Sequence, residues 1–250
     1  MRKILFHLKA GTLGQTTLRW LRYRVWTRDV GDSRRPYRLH IWCRDFLNRA
    51  RFGKDAPQFA ELIYVNPQEC LVSNKAFRCG QVDSAKVIDR WPYQEGDLVS
   101  SSAVEDLPIA SAVVGILQSC IQHWREGAPW TQTWNYQRIA AEITAHGMFW
   151  TNQLFSLEEL DERCRNLDAL FQAVKDEKMF PLRATTERTL FRQEDSTIIH
   201  VGPKGELVVA GLGLHRFSMA LILGVAKYPA QIGCVHRNAL HVLPGLRKGE

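Results

Sequence analysis

Apolar residues recur at helical spacing in three stretches of the middle of this chain. Ile109, Val113, Ile116 and Ile121 form one stripe, which predicts a helix over 106–124. Gly127-Ala128-Pro129 stops it. A second helix is predicted over 135–146 behind the aromatic run Trp130–Tyr136, closed by Gly147. A third runs over 156–176, and Ser156 with Glu159 three positions on makes a capping box at its start. Glu61–Val65 reads as a strand ended by Asn66-Pro67, and Cys70–Val72 as a second short one. Residues 73–103 are polar with scattered Gly and Pro. They predict loop with small elements, anchored in part by Val87–Pro92.

The period changes near the C-terminal end. Ile198, Val201 and Leu207–Ala210 are strand-like, with Pro203-Lys204-Gly205 turning between them. Ala210-Gly211-Leu212-Gly213-Leu214-His215-Arg216 then leads into an apolar helix, roughly 215–224, ended by Gly224. Tyr228-Pro229-Ala230 restarts the chain, and Gln231–Val235 reads as another strand. Gly211 and Gly213 allow close backbone approach. A helix start offers unpaired N–H groups and the positive dipole end, and His215 and Arg216 add polar and cationic side chains there. The arrangement reads as a phosphate cradle. A tight turn with an Arg salt bridge is the other reading of the same residues.

Gly213-Leu214-His215-Arg216, with Phe217–Ala220 after it and a strand beyond Pro229, resembles the C-terminal motif of the ParB/sulfiredoxin-like superfamily. The likeness covers roughly 167–243. In those families this turn and its helix hold nucleotide phosphates. The resemblance implies that Gly213 shapes the turn, and that His215 and Arg216 meet the phosphate. From their place in the lead-in, Arg183 would add a second phosphate contact, and Glu187, Glu194 or Asp195 would serve as a base or hold Mg²⁺, with His215 a further catalytic candidate. The resemblance further implies a nucleoside triphosphate with Mg²⁺ as cofactor, a nucleotide or phosphorylated small molecule as partner, and phosphoryl transfer or nucleotide hydrolysis as chemistry. Leu214 departs from both families. It supplies neither the thiolate that sulfiredoxin chemistry needs nor the acid found in ParB proteins.

Composition places the chain among soluble globular proteins. It has 250 residues, 45% of them apolar, eight of them Trp. No apolar run approaches the ~20 residues that span a bilayer. The start, MRKILFHLKAGTLGQ, is too short and interrupted in its apolar part for a secretory signal. These features predict a cytoplasmic protein, with a peripheral place at the membrane left open.

Charge changes the picture more. Residues 1–54 carry 14 Lys or Arg against 3 Asp or Glu, and the remainder 19 against 23, so all of the +7 excess sits in the first fifth. Arg19, Arg22, Arg24, Arg28, Arg34 and Arg35 alternate with Trp20, Tyr23, Trp26 and Tyr37. Such a segment suits nucleic acid, through phosphates and base stacking. It equally suits an anionic membrane surface, or packing on its own domain. The six Cys form no Cys-x-x-Cys pair and read as reduced, mostly structural thiols, with no metal site expected. Glu194, Asp195, His200 and His236 are further polar candidates near the motif.

The expected architecture is mixed α+β. Residues 1–54 form a basic extension, 55–155 a mixed strand and helix region, and 156–250 the motif domain with a small mixed sheet.

Overall fold

The computed structural model describes residues 34–73, 84–94, 96–149, 153–177, 179–186, 190–209 and 211–249, with side chains from Arg38 onward. The chain is α+β, with helices packed on one mixed seven-stranded sheet. The elements are helix α1 (Arg34–Phe52), strands β1 (Leu62–Val65), β2 (Leu71–Ser73), β3 (Val87–Ile88) and β4 (Leu98–Ser100), then helices α2 (Ala112–Trp124), α3 (Trp134–His146) and α4 (Leu157–Glu177). A single helical turn, α5 (Arg183–Thr186), precedes strands β5 (Ile198–Val201) and β6 (Leu207–Val209). Helix α6 (Leu214–Ile222), strand β7 (Tyr228–His236) and helix α7 (Leu243–Lys248) complete the order.

The three middle helices form where the periodicity put them, with ends set by local chemistry. Pro108 and a 3-10 turn at Ser101–Asp106 delay α2 to Ala112, where the Ser111 hydroxyl accepts the Val114 amide at 3.3 Å. This corrects the expected start at 106, and Ile109 lies outside the helix, exposed. Thr133 caps α3, and Gly147 ends it at φ +70°. The Ser156 hydroxyl takes the Glu159 amide at 3.2 Å, while the Glu159 carboxylate reaches back to the Phe155 amide at 2.6 Å.

Strand order is β1-β7-β5-β6-β2-β4, with β3 also paired to β7. The β5–β7, β2–β6 and β3–β7 pairs are parallel and the others antiparallel. One sheet therefore draws strands from both sides of residue 155. β5 and β7 are buried along their whole length. β7 is longer than its sequence pattern suggested, starting at Tyr228 rather than Gln231. Pro229 is tolerated because β5 begins pairing only at Ile198 opposite Gln231, so no ladder bond is lost on that side.

One register shift interrupts the centre. Ile199 faces Ile232 but Val201 faces Val235, so Gly233 and Cys234 together oppose His200. The Cys234 amide donates to His200 Nδ1 at 2.8 Å. A Cβ on Gly233 would lie 2.3 Å from that nitrogen. The missing side chain is what lets the ring lie there.

The main core joins Ile63, Val72, Val114, Leu117, Ile199, Phe217, Ile232 and Leu243. Burying each such side chain stabilises the fold by about 1.5–3 kcal/mol. A second cluster around Cys120, Trp130, Ile139 and Leu160 joins α2, α3 and α4. A third, of Ile41, Phe59 and Ala60, seats α1, a helix the sequence pattern did not predict.

Candidate functional site

The Gly-Leu-His-Arg turn lies between β6 and α6. Gly211 (φ +89°) and Gly213 (φ +64°) are both left-handed. A Cβ on Gly213 would stand 2.5 Å from the Thr197 amide nitrogen and 2.6 Å from its hydroxyl. The close approach expected of this glycine is thus made to the backbone just before β5. Gly213 is also the N-cap of α6, and no side chain caps that end.

Thr197 ties the turn to β7. Its hydroxyl donates to the Gly213 carbonyl at 2.9 Å and stands 2.6 Å from the Tyr228 hydroxyl. The single proton of Thr197 is spent on the carbonyl, so Tyr228 donates to Thr197. Burial pushes the Tyr228 phenol up, which keeps it protonated. The positive charges of Arg216 and Arg183 pull the other way. Arg216 donates to the Pro181 carbonyl and lies 5.6 Å from the centre of the Phe180 ring. Phe180 in turn meets Tyr228 edge-on at 5.1 Å. Among the described residues no carboxylate pairs with Arg216.

His215 points elsewhere. Its Nε2 stands 3.4 Å from Asn135 Nδ2, and its ring lies 6.5 Å from Trp130, towards the helical layer. The Asn135 amide can only donate, so Nε2 is the unprotonated nitrogen. Burial, with the nearby Arg163 charge, pulls His215 down to about 3. The ring is neutral at neutral pH and adds no positive charge for an anion. The adjacent polar residues of the motif thus diverge, Arg216 to the sheet side and His215 to the helices.

The aromatic run that the sequence offered as a pocket wall surrounds a carboxylate. Asp168 on α4 accepts from His123 Nε2 at 3.0 Å, Trp124 Nε1 at 2.9 Å and Trp130 Nε1 at 3.1 Å. The His123 ring stacks on Trp130 at 4.2 Å, with its Nδ1 2.6 Å from the Ala128 carbonyl oxygen. The arrangement locks α2, α4 and the Trp130–Gln132 turn together. Beside it, Leu154, Phe155, Glu159, Arg163, Leu167 and Leu170 line an open groove of about 520 Å³, which does not include the motif turn.

The remaining candidates separate. His200 is fully buried as the acceptor of the Cys234 amide, and His236 caps the turn after β7 through the Asn238 amide at 3.2 Å. Glu194 accepts the Phe191 amide at 3.3 Å, and Asp195 is left-handed at φ +61°. Glu187, Arg19, Arg22, Arg24 and Arg28 lie outside the described residues. Arg34 and Arg35 open α1, with side chains outside them. Burial pushes the thiols of Cys70 and Cys120 up to about 12 and that of Cys164 to about 11. They are unreactive core residues. Among the described residues no group of three or more His, Cys, Asp or Glu is placed to hold a metal ion. No described helix is long and apolar enough to cross a membrane. The sequence missed Thr197, which no pattern singled out, and Tyr228, which read only as the restart of the chain after Gly224. Only the pairing of β5 with β7 brings them to the motif.

No family model, curated protein or solved structure matches this chain.

Proposed function

We propose that this is a nucleotide- or phosphate-binding protein of ParB/sulfiredoxin-like type, holding its anion at Gly211–Arg216. The first amides of α6 and the Arg216 guanidinium bind the phosphate, and Arg183 supplies the second cation. One observation carries the reading. Arg216 stands in the first turn of α6, whose start no side chain caps, and among the described residues no carboxylate pairs with it. The likeness of Gly213-Leu214-His215-Arg216 to the superfamily motif supports it. His215 contributes through its place in the turn rather than through charge.

A nucleoside triphosphate with Mg²⁺ is the ligand class this reading favours. Phosphoryl transfer or hydrolysis would need a base near Arg216. His215 faces away from it, so binding is the activity proposed.

The test is thermal unfolding across nucleoside triphosphates with Mg²⁺ and inorganic phosphate alone, for wild type, Arg216→Ala and Arg183→Ala. Ligand at ~100 times its dissociation constant stabilises the native state by about 2.7 kcal/mol. The expected result is a rise in Tm that Arg216→Ala abolishes and Arg183→Ala reduces. A flat panel for wild type would remove the reading.

A further inference from the structure

Helix α1 is anchored by one face and bare on the other. On the inner face Ile41 is buried against Phe59 and Ala60. Asn48 Nδ2 donates to the carbonyls of Pro57 at 2.9 Å and Ala85 at 2.8 Å. Asp45 accepts from the Phe59 amide at 2.8 Å and from Arg192 at 2.9 Å. These bonds fix the rotation of the helix about its axis. They leave Leu39, Trp42, Phe46 and Leu47 outward, with relative exposures of 61%, 64%, 60% and 51%. The four lie at i, i+3, i+7 and i+8, one continuous stripe, with Trp42 stacked on Phe46 at 5.8 Å.

Charge frames this stripe. At 100° per residue, Arg38 and Arg49 fall along one edge and Arg44 and Arg51 along the other. Asp45, the one acidic residue of the helix, is turned inward. The surface is an apolar ridge between two rows of arginine, on a chain whose first 54 residues hold its whole positive excess.

We propose that this face of α1 docks the protein on an anionic lipid bilayer. The ridge has the chemistry of a helix lying in the interfacial plane, with Leu and Phe entering the acyl boundary and Trp at headgroup level. Arg49 and Arg51 extend their stems along the apolar edge and place their guanidiniums among lipid phosphates, while Arg44 donates to the Ser84 carbonyl at 3.3 Å and Arg38 lies 6.0 Å from the centre of the Phe191 ring. Charge argues against a second copy as the occupant, because apposed ridges would bring arginine rows together. Nucleic acid fits less well, because Leu39 and Leu47 lead the surface where a phosphate backbone would need the guanidiniums to lead.

The test is co-sedimentation of the full chain with phosphatidylcholine vesicles, with and without phosphatidylserine, for wild type, a Trp42→Ser/Phe46→Ser double variant and an Arg49→Gln/Arg51→Gln double variant. All four side chains are exposed, so the Tm of each variant should match wild type. The expected result is binding that requires phosphatidylserine, is lost in the aromatic variant, and weakens by about an order of magnitude in the arginine variant. Three results would each overturn the proposal. One is no binding to anionic vesicles. Another is undiminished binding by the aromatic variant, which would move the contact off this face. The third is a wild-type dimer, seen by light scattering, that the aromatic variant dissolves.

Discussion

His200 Nδ1 accepts the amide of Cys234 at 2.8 Å, across a bulge between the two central strands. The bulge orphans one buried N–H, and the imidazole satisfies it. Gly233→Ala would drive a Cβ into that ring, with β7 buried on both sides and no room to yield. The expected loss is about 1–3 kcal/mol from overpacking, read from urea unfolding. His200→Ala should cost at least as much, because it leaves the Cys234 N–H unpaired and opens a cavity. A Gly233→Ala protein as stable as wild type would remove this account of the bulge.

The two glycines of the motif turn should respond differently to alanine. Gly213→Ala meets both a left-handed φ and the Thr197 backbone. The first costs about 1–2 kcal/mol and the second about 1–3 kcal/mol more. At Gly211 the nearest atom to an added Cβ is Val113 Cγ2, at 4.0 Å. Gly211→Ala should therefore lose only the conformational part. Denaturant midpoints for the pair check the difference, and equal losses would contradict it.

His215 makes stability depend on pH on the acid side. Its folded value, about 3, lies below its ordinary 6.5, so the unfolded chain binds the extra proton between those limits. The neutral ring's contribution is complete above pH 6.5 and is lost as pH falls towards 3. His215→Leu should flatten the fall in ΔG with pH across this window, measured by denaturant titrations at several pH values. A variant with the wild-type slope would mean the ring is free to charge in the folded state.

Asp168 gathers three ring N–H donors from α2 and the following turn. Its side chain is 41% exposed, so water replaces part of what Asp168→Ala removes. The expected destabilisation is about 1–3 kcal/mol, with a changed near-ultraviolet circular dichroism from Trp124 and Trp130. Asp168→Asn keeps one acceptor oxygen and should fall between. An unaltered near-ultraviolet spectrum in Asp168→Ala would show that packing alone orients the rings.

Local chemistry made much of the fold readable in advance. The Ser156–Glu159 pair, the Gly147 and Gly224 stops, and the strand-like residues either side of the Pro203-Lys204-Gly205 turn mark elements within a residue or two of where they lie. Helix α1 was illegible because its pattern is inverted. Its inner face carries Asp45 and Asn48, whose partners are remote backbone groups, while Trp42 and Phe46 point outward. The glycine turn of the candidate site was visible as sequence. Its setting was not, because Thr197 and Tyr228 gain meaning only from long-range pairing, and nothing in the motif says that His215 and Arg216 part company.

The sheet also dictates an order of events during synthesis. β1 is made early, yet its partner is β7, with Leu62 set against Gln231. β7 is also the parallel neighbour of β3 and β5. A nascent chain that has not yet emitted Tyr228–His236 holds three strands with no common spine. Non-local pairing of this kind folds slowly and leaves strand edges open in the interim. Ribosome-bound chains stopped before Tyr228 should thus remain protease-sensitive in β1 and β5. Release past His236 should close both at once.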